Sequence, residues 1–110
     1  MSKKEKLLPP IHPGEILKTE LMEPYGLSGN ALARLLSVPA NRVTEIINGE
    51  RNISIDTALR LSKCFGMSAQ MWMNLQTDYE LRKARFDHLT EQIEQEVREY
   101  SRSKWAHAVN

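Results

Sequence analysis

The chain has 110 residues, 41% of them hydrophobic, and a formal net charge of +1, which allows one domain with a modest core and no need of disulfides. Its single cysteine, Cys64, excludes a disulfide framework and favours a reducing cytoplasm. No segment approaches the roughly 18 apolar residues of a membrane span, and the first residues lack the apolar run of a secretory signal. We therefore expect a soluble cytoplasmic protein without a membrane partner.

Residues 1–11 combine three lysines with a Pro9-Pro10 pair, which predicts a mobile arm. Such an arm either contacts DNA phosphates or another protein, or stays solvated without a fixed role. A first helix then begins at Pro13 and ends near Pro24 and Gly26. Its apolar residues, which we assign to the scaffold, are Ile16, Leu17, Leu21 and Met22.

The stretch from 28 to 49 predicts two short helices joined by a tight turn, the pattern of a helix-turn-helix unit. Ser28 is a good N-cap for the first helix, Pro39 opens the second, and Gly49 closes it. Small Ala33 allows the two helices to approach closely. The predicted apolar stripes are Leu32, Leu35 and Leu36 in the first helix, and Val43, Ile46 and Ile47 in the second.

The outward face of the second helix is suited to reading bases in the major groove of DNA. Asparagine can bond an adenine edge, arginine a guanine or a phosphate, and glutamate a cytosine amine. Residues 28–44 contain two arginines and no acid, which favours an anionic partner. The predicted base-reading residues are Asn41, Arg42, Thr44, Glu45 and Asn48, and the predicted phosphate contacts are Ser28, Asn30, Arg51 and Asn52. The competing interpretation is the solvated face of an ordinary amphipathic helix.

A fourth helix is predicted from its N-cap Ser54 to Gly66, and a fifth begins at Ser68. The apolar positions of the fourth are Ala58, Leu59, Leu61, Cys64 and Phe65. We expect the five helices to share one core.

The segment from 68 to about 100 contains no proline or glycine. An aromatic or aliphatic residue recurs at every seventh position and forms an apolar stripe: Trp72, Tyr79, Phe86, Ile93 and Tyr100. Leu75, Leu89 and Val97 widen this stripe. A single helix of this length would extend about 45 Å, more than such a domain can cover. We therefore predict a homodimer interface, formed by Trp72, Tyr79, Phe86, Leu89 and Ile93. Two alternatives stay open: Trp72 and Leu75 belong to the core, or a break near 87–90 folds the tail back over it.

The predicted fold is all-α, a five-helix DNA-binding domain with an extended C-terminal helix. Its parts are a flexible arm (1–11), a helix-turn-helix core (12–66) and a long C-terminal helix for dimerisation (67–110). His12, His88 and His107 are not at metal-ligand spacing, so no metal or cofactor is expected. With Cys64 predicted buried and no glycine-rich phosphate loop, the chain is not expected to be an enzyme.

Four segments carry a resemblance to a known family: HPGEILKTELMEPYGLS, LARLLSVPANRVTEIINGERNIS, DTALRLSKCFGMS and WMNLQTDYEL. They resemble the lambda-repressor-like (XRE) helix-turn-helix family and, more narrowly, its HigA-type, VapI-related antitoxins. The resemblance implies a dimer that represses its own toxin–antitoxin operon by binding double-stranded operator DNA. It also implies a toxin partner, typically an mRNA-cleaving ribonuclease of the HigB type.

The chain departs from this family in the interhelical turn, where Ser37 stands in place of the glycine of many relatives. A left-handed backbone at serine costs up to about 1 kcal/mol. No residue marks a toxin-binding surface, so the antitoxin assignment depends on the resemblance alone. The alternatives are a regulator of the same fold without a toxin, and a protein-binding module that uses the long helix and no DNA.

Overall fold

The computed structural model describes residues 8–100, and this part of the chain contains helices and no strand. The lysines of the predicted arm, in residues 1–7, lie outside the described residues. The elements are α1 (Pro13–Ile16), which continues as a π-helix (Leu17–Met22), then α2 (Gly29–Leu36), α3 (Ala40–Ile47), α4 (Ile55–Phe65), α5 (Ala69–Phe86) and α6 (Leu89–Glu96). The prediction of an all-α fold is confirmed. No helix among the described residues is long and apolar enough to cross a membrane.

Serine caps begin three of these helices, as the sequence predicts. The Oγ atoms of Ser28, Ser54 and Ser68 each accept a hydrogen bond from the backbone N–H three residues further on, at 3.1, 3.2 and 3.0 Å. Each bond satisfies an amide that a helix start leaves without an intrahelical partner. The positions at which α2, α4 and α5 begin are therefore encoded locally.

The core lies where α2 packs on α3 and α4, α4 on α5, and α1 on α3 and α5. Its buried apolar residues are Leu17, Leu21, Met22, Leu32, Ala33, Leu36, Val43, Ile46, Ile53, Ala58, Leu61 and Trp72. One buried polar side chain joins them: Gln76 on α5 accepts a hydrogen bond from the Ile53 backbone N–H at 2.8 Å and donates to Glu80 at 2.9 Å. Because the first half of α5 supplies Trp72 and Gln76, the core extends beyond residue 66.

Two predicted apolar positions are wrong, because both leucines face solvent. Leu35 on α2 is 58% exposed and Leu59 on α4 is 57% exposed. At 100° per residue, Leu35 is turned well away from the face that Leu32 and Leu36 bury, and Leu59 is nearly opposite Leu61. Only part of each apolar run therefore belongs to the core.

The predicted single helix from 68 to 100 is wrong, because it breaks at Asp87 and His88. His88 has a left-handed backbone with φ of 66°, and α6 begins at the next residue. The alternative, a break near 87–90, has the right position. However, no α6 residue is among the apolar side chains that pack against the core, so the tail does not fold back over it.

The prediction that Trp72 lies in a dimer interface is wrong, since its side chain is 1% exposed inside the monomer core. It cannot offer surface to a second subunit, and the alternative that assigns it to the core is right. Leu75 packs against the same core. Phe86, Leu89 and Ile93 are 38%, 44% and 44% exposed, so the part of the interface that they form stays a prediction.

The first helix contacts α3 at a glycine that has no room for a side chain. A Cβ added to Gly14 would lie 1.8 Å from the Ile46 carbonyl oxygen and 3.0 Å from the Ile47 Cα. These are backbone atoms of α3, so no rotamer change could relieve the clash. The start of α1 therefore sets the position of the end of α3.

We expect Gly14→Ala to lower the free energy of unfolding by at least about 2 kcal/mol, because α1 and α3 must separate to admit the methyl group. The measurement is urea denaturation followed by circular dichroism. Gly29→Ala is the matched control: its Cβ would meet Thr44 and Val43 at ordinary contact distances of 3.8 and 3.9 Å. Equal stability of the two variants would contradict the close contact.

Candidate nucleic-acid interface

The turn between α2 and α3 contains a residue with a left-handed backbone, a conformation that costs free energy at serine. Ser37 has φ of 58° and ψ of 48°. The backbone N–H groups of Ser37 and Val38 donate to the Arg34 and Ala33 carbonyls at 3.2 and 3.0 Å. These two hydrogen bonds form a Schellman motif. The unusual backbone at Ser37 is thus part of a well-bonded helix end.

Arg60 on α4 also binds this turn from outside. Its Nη1 donates to the Leu36 carbonyl at 2.9 Å and to the Ser37 carbonyl at 3.4 Å. A cation at the C-terminal end of α2 satisfies carbonyls that the helix leaves unpaired and complements its dipole. This contact was not predicted, because residues 24 positions apart show no common pattern in the sequence.

The second helix is fixed by its buried face and its end. Val43 and Ile46 are each 1% exposed in the core. At the end of α3, Gly49 has φ of 78°, and the N–H groups of Gly49 and Glu50 donate to the carbonyls of Ile46 and Glu45 at 3.0 and 2.7 Å. The predicted glycine cap is confirmed, and the outward residues of α3 have a fixed direction.

Three of the predicted base-reading residues share one exposed face of α3. Asn41, Thr44 and Asn48 are spaced by three and four residues and are all exposed. The start of α2 borders this face, since a Cβ on Gly29 would be 3.8 Å from Thr44 Oγ1. Exposed Ser28 and Asn30, predicted as phosphate contacts, therefore flank the same surface.

The remaining two predicted base readers are held in ion pairs. Arg42 Nη1 lies 2.5 Å from Asp56 Oδ2, and Arg60 Nε lies 2.9 Å from the same oxygen. Arg60 and then Arg42 hold the pKa of Asp56 below its usual value of 3.8. Asp56 therefore links α3 to α4 and, through Arg60, to the turn. The Asp56–Arg60 spacing of four is visible in the sequence, whereas the link to Arg42 depends on the tertiary fold.

Glu45 forms the other pair, with Arg51 in the loop after α3. Its Oε1 lies 2.8 Å from Arg51 Nε and 2.7 Å from Nη2. The structure thus pairs a predicted base reader with a predicted phosphate contact. Arg42 and Arg51 each have a carboxylate beside them. The outer face of α3 therefore presents the uncharged Asn41, Thr44 and Asn48 outside these ion pairs.

His12 connects the end of α3 with α5. Its Nδ1 accepts a hydrogen bond from the Gly14 backbone N–H at 2.9 Å, so the ring caps α1. Its ring lies 4.8 Å from that of Tyr79 in an edge-to-face arrangement, which places Tyr79 partly in this contact rather than wholly on the predicted dimer surface. Burial lowers the pKa of His12, and the Asn52 side chain and Arg51 backbone oppose this only in part.

The described residues contain no group of three or more histidine, cysteine or carboxylate side chains that could hold a metal ion. The geometry brings together the outer face of α3, the start of α2 and the loop after α3. This surface has the shape and the polar side chains of a helix-turn-helix that enters the major groove.

Comparison with known proteins places this geometry in a family. The family model HTH_3, "Helix-turn-helix", matches residues 19–72. Virulence-associated protein I of Dichelobacter nodosus is 51% identical over 80 residues, which cover 73% of this chain and 74% of that protein. A solved structure described as an addiction module antidote protein of a HigA family, from Coxiella burnetii, is 48% identical with a TM-score of 0.77, covering 84% of this chain and 100% of that one. The chain belongs to the HigA-type branch of the XRE helix-turn-helix family.

A HigA-type neighbour has been solved with DNA. The Pseudomonas aeruginosa antitoxin HigA with the higBA promoter is 46% identical, with a TM-score of 0.78, and the match covers 84% of this chain and 99% of that one. The two solved relatives are described as an antidote protein and an antitoxin rather than as enzymes, which agrees with the sequence prediction. The residues at the start of α1 have a structural role in this fold, since His12 caps the helix and Gly14 admits the α3 backbone.

The lowered pKa of His12 predicts a stability change at mildly acidic pH. Between the unfolded value of 6.5 and the lower folded value, the unfolded chain binds more protons, so stability falls as pH decreases through this window. Asparagine can replace the capping acceptor but does not titrate. Urea denaturation at pH 7.5 and 5.5 should show a smaller loss for His12→Asn than for the parent chain. Identical losses would show that His12 does not carry the effect.

Proposed function

We propose that the chain is a DNA-binding antitoxin of a type II toxin–antitoxin system. It binds its own operator as a homodimer in the cytoplasm, represses its operon and neutralises a ribonuclease toxin of the HigB type. The observation that carries the proposal is the fixed outer face of α3, with Asn41, Thr44 and Asn48 exposed, in a chain 46% identical to a HigA solved with promoter DNA.

The placement of the side chains indicates which of them contact bases and which contact phosphates. α3 enters the major groove with Asn41, Thr44 and Asn48 toward base edges, and Ser28 and Asn30 at the start of α2 contact a phosphate. Arg42, Glu45, Arg51 and Asn52 complete the predicted contact set. Arg42 and Arg51 exchange or share their carboxylate partners when they bind DNA, so their contribution is smaller than that of unpaired arginines.

A homodimer supplies the affinity that one nearly neutral subunit lacks. Two reading helices separated by about 34 Å, one turn of DNA, fit an operator with inverted symmetry. The exposed apolar residues Phe86, Leu89 and Ile93 support pairing through the region where α5 meets α6.

The toxin partner is supported by family membership alone. The relatives with solved structures include an addiction module antidote protein and the antitoxin HigA. A regulator of the same fold without a toxin would have the same α3 surface, so this second function is separated from the first by experiment.

We expect Arg42→Ala to weaken binding to the DNA upstream of the gene by about 1 kcal/mol, the low end of the range for an arginine–base contact, because Asp56 already pairs with Arg42. The thermal midpoint should be nearly unchanged. The measurement is a gel-shift titration at two salt concentrations. Asp56→Asn tests whether Arg42 acts directly, since it frees the arginine and removes an acid near the interface. If Arg42 contacts DNA, Asp56→Asn binds at least as tightly as the parent.

Lys83→Ala is the control for net charge, because Lys83 lies on α5 in a pair with Asp87. It should bind operator like the parent. Equal weakening by Arg42→Ala and Asp56→Asn would assign Arg42 a structural role in holding α3, and parental binding by Arg42→Ala would remove it from the interface.

The antitoxin function is tested by co-expression with the product of the adjacent reading frame. We expect the two proteins to co-purify and the chain to suppress that protein's growth inhibition. Arg42→Ala separates the two functions, because suppression by a variant that binds operator weakly would show that toxin neutralisation does not require DNA reading. Failure of both co-purification and suppression by the parent chain would leave a regulator without a toxin.

A further inference from the structure

A cleft separates the first described residues from the outer face of α5. It has a volume of 470 Å³. Leu8 and Ile11 line it from the segment before α1, and Leu75 and Phe86 line it from α5. Leu8 and Ile11 are 84% and 65% exposed, so this monomer leaves a large apolar surface uncovered.

The charge of the cleft is positive on the α5 side. Arg82 and Arg85 line it together with Asp78. Asp78 pairs with Arg82 at 2.8 Å, whereas Arg85 forms no ion pair with any residue in the described range 8–100. An occupant with an apolar stripe and acidic flanks would match this surface.

The short helix α6 has that chemistry. Leu89, Ile93 and the following Val97 are spaced by four and form one exposed stripe, of which Val97 is 64% exposed. The charged residues of α6 are three glutamates, Glu91, Glu94 and Glu96, with no arginine or lysine. Glu94 and Glu96 flank the stripe on either side, since each lies roughly 60–100° from its centre.

The dimensions agree as well. From Leu75 to Phe86 the α5 wall of the cleft is about 16 Å long, and the stripe from Leu89 to Val97 is about 12 Å long. No residue of the chain's own α6 lines the cleft. Two complementary surfaces on one chain that do not meet within it satisfy each other in a pair of copies related by a two-fold axis.

We propose that α6 of one subunit docks in the cleft between residues 8–11 and α5 of a second copy, with the contact made twice by symmetry. This inference rests on the proposed homodimer and identifies the surface that receives Leu89 and Ile93. Leu8 and Ile11 become covered, and Arg85 gains the carboxylates of the partner's α6.

Sedimentation equilibrium of the full chain tests the docking. Ile93→Asp places a charge in the apolar stripe twice per dimer and should weaken dimerisation at least about tenfold. Gln95→Asp is the matched control, because it adds the same charge on the opposite face of α6 and should leave the dimer intact. Since α6 does not pack on the core, both variants should keep the thermal midpoint of the parent when all three are measured at a concentration at which they are monomeric.

Charge exchange tests the named partners. The cleft variant carries Arg82→Glu and Arg85→Glu, and the helix variant carries Glu94→Arg and Glu96→Arg. Each alone should dimerise about tenfold more weakly at low salt, because like charges then meet in both contacts. An equimolar mixture should recover the parental affinity to within about threefold, since every cleft in the mixed dimer then faces a helix of opposite charge.

The outcomes separate this inference from the homodimer itself. A parent chain that sediments as a monomer at 100 times its DNA-binding concentration would overturn both. A stable dimer that Ile93→Asp leaves intact, or a mixture that stays monomeric, would overturn the docking alone. Ile93→Asp that lowers the thermal midpoint of a monomer would show that α6 occupies the cleft of its own chain, which also overturns it.

Discussion

The orientation of α3 depends on a backbone contact at its C-terminal end. Gly14 at the start of α1 lies directly against the Ile46 carbonyl, at a distance that excludes even a methyl group. His12 holds that start by capping it, and Val43 and Ile46 hold α3 from the core side. A helix fixed at its end and along its buried face presents its polar side chains in one arrangement, which sequence-specific contact requires.

The charges around this surface are largely neutralised within the monomer. Asp56 lies between Arg42 and Arg60, and Glu45 lies beside Arg51. These exposed pairs contribute little to stability, but they set where the arginines point. The arrangement agrees with a net charge of +1: in the proposed function, DNA binding depends on shape, on uncharged polar groups and on two subunits rather than on a strongly basic patch.

The sequence predicted well those features that depend on neighbouring residues. The serine caps, the glycine at the end of α3, the turn at Ser37 and the polar face of α3 all follow from local chemistry. What it missed depends on the tertiary fold: the Arg42–Asp56 link, the exposure of Leu35 and Leu59, and the π-helical turn of Leu17–Met22. Neither proline nor glycine marks the break at His88, so the sequence does not decide between a continuous and a broken helix.

We propose that the outer face of α3 is the surface that contacts DNA, and a nuclear magnetic resonance titration tests this most directly. The labelled full chain is titrated with a duplex from the region upstream of its gene. We predict the largest amide and side-chain shifts at Asn41, Thr44 and Asn48 and at the start of α2. Shifts confined to α5 and α6, with α3 unchanged, would contradict it.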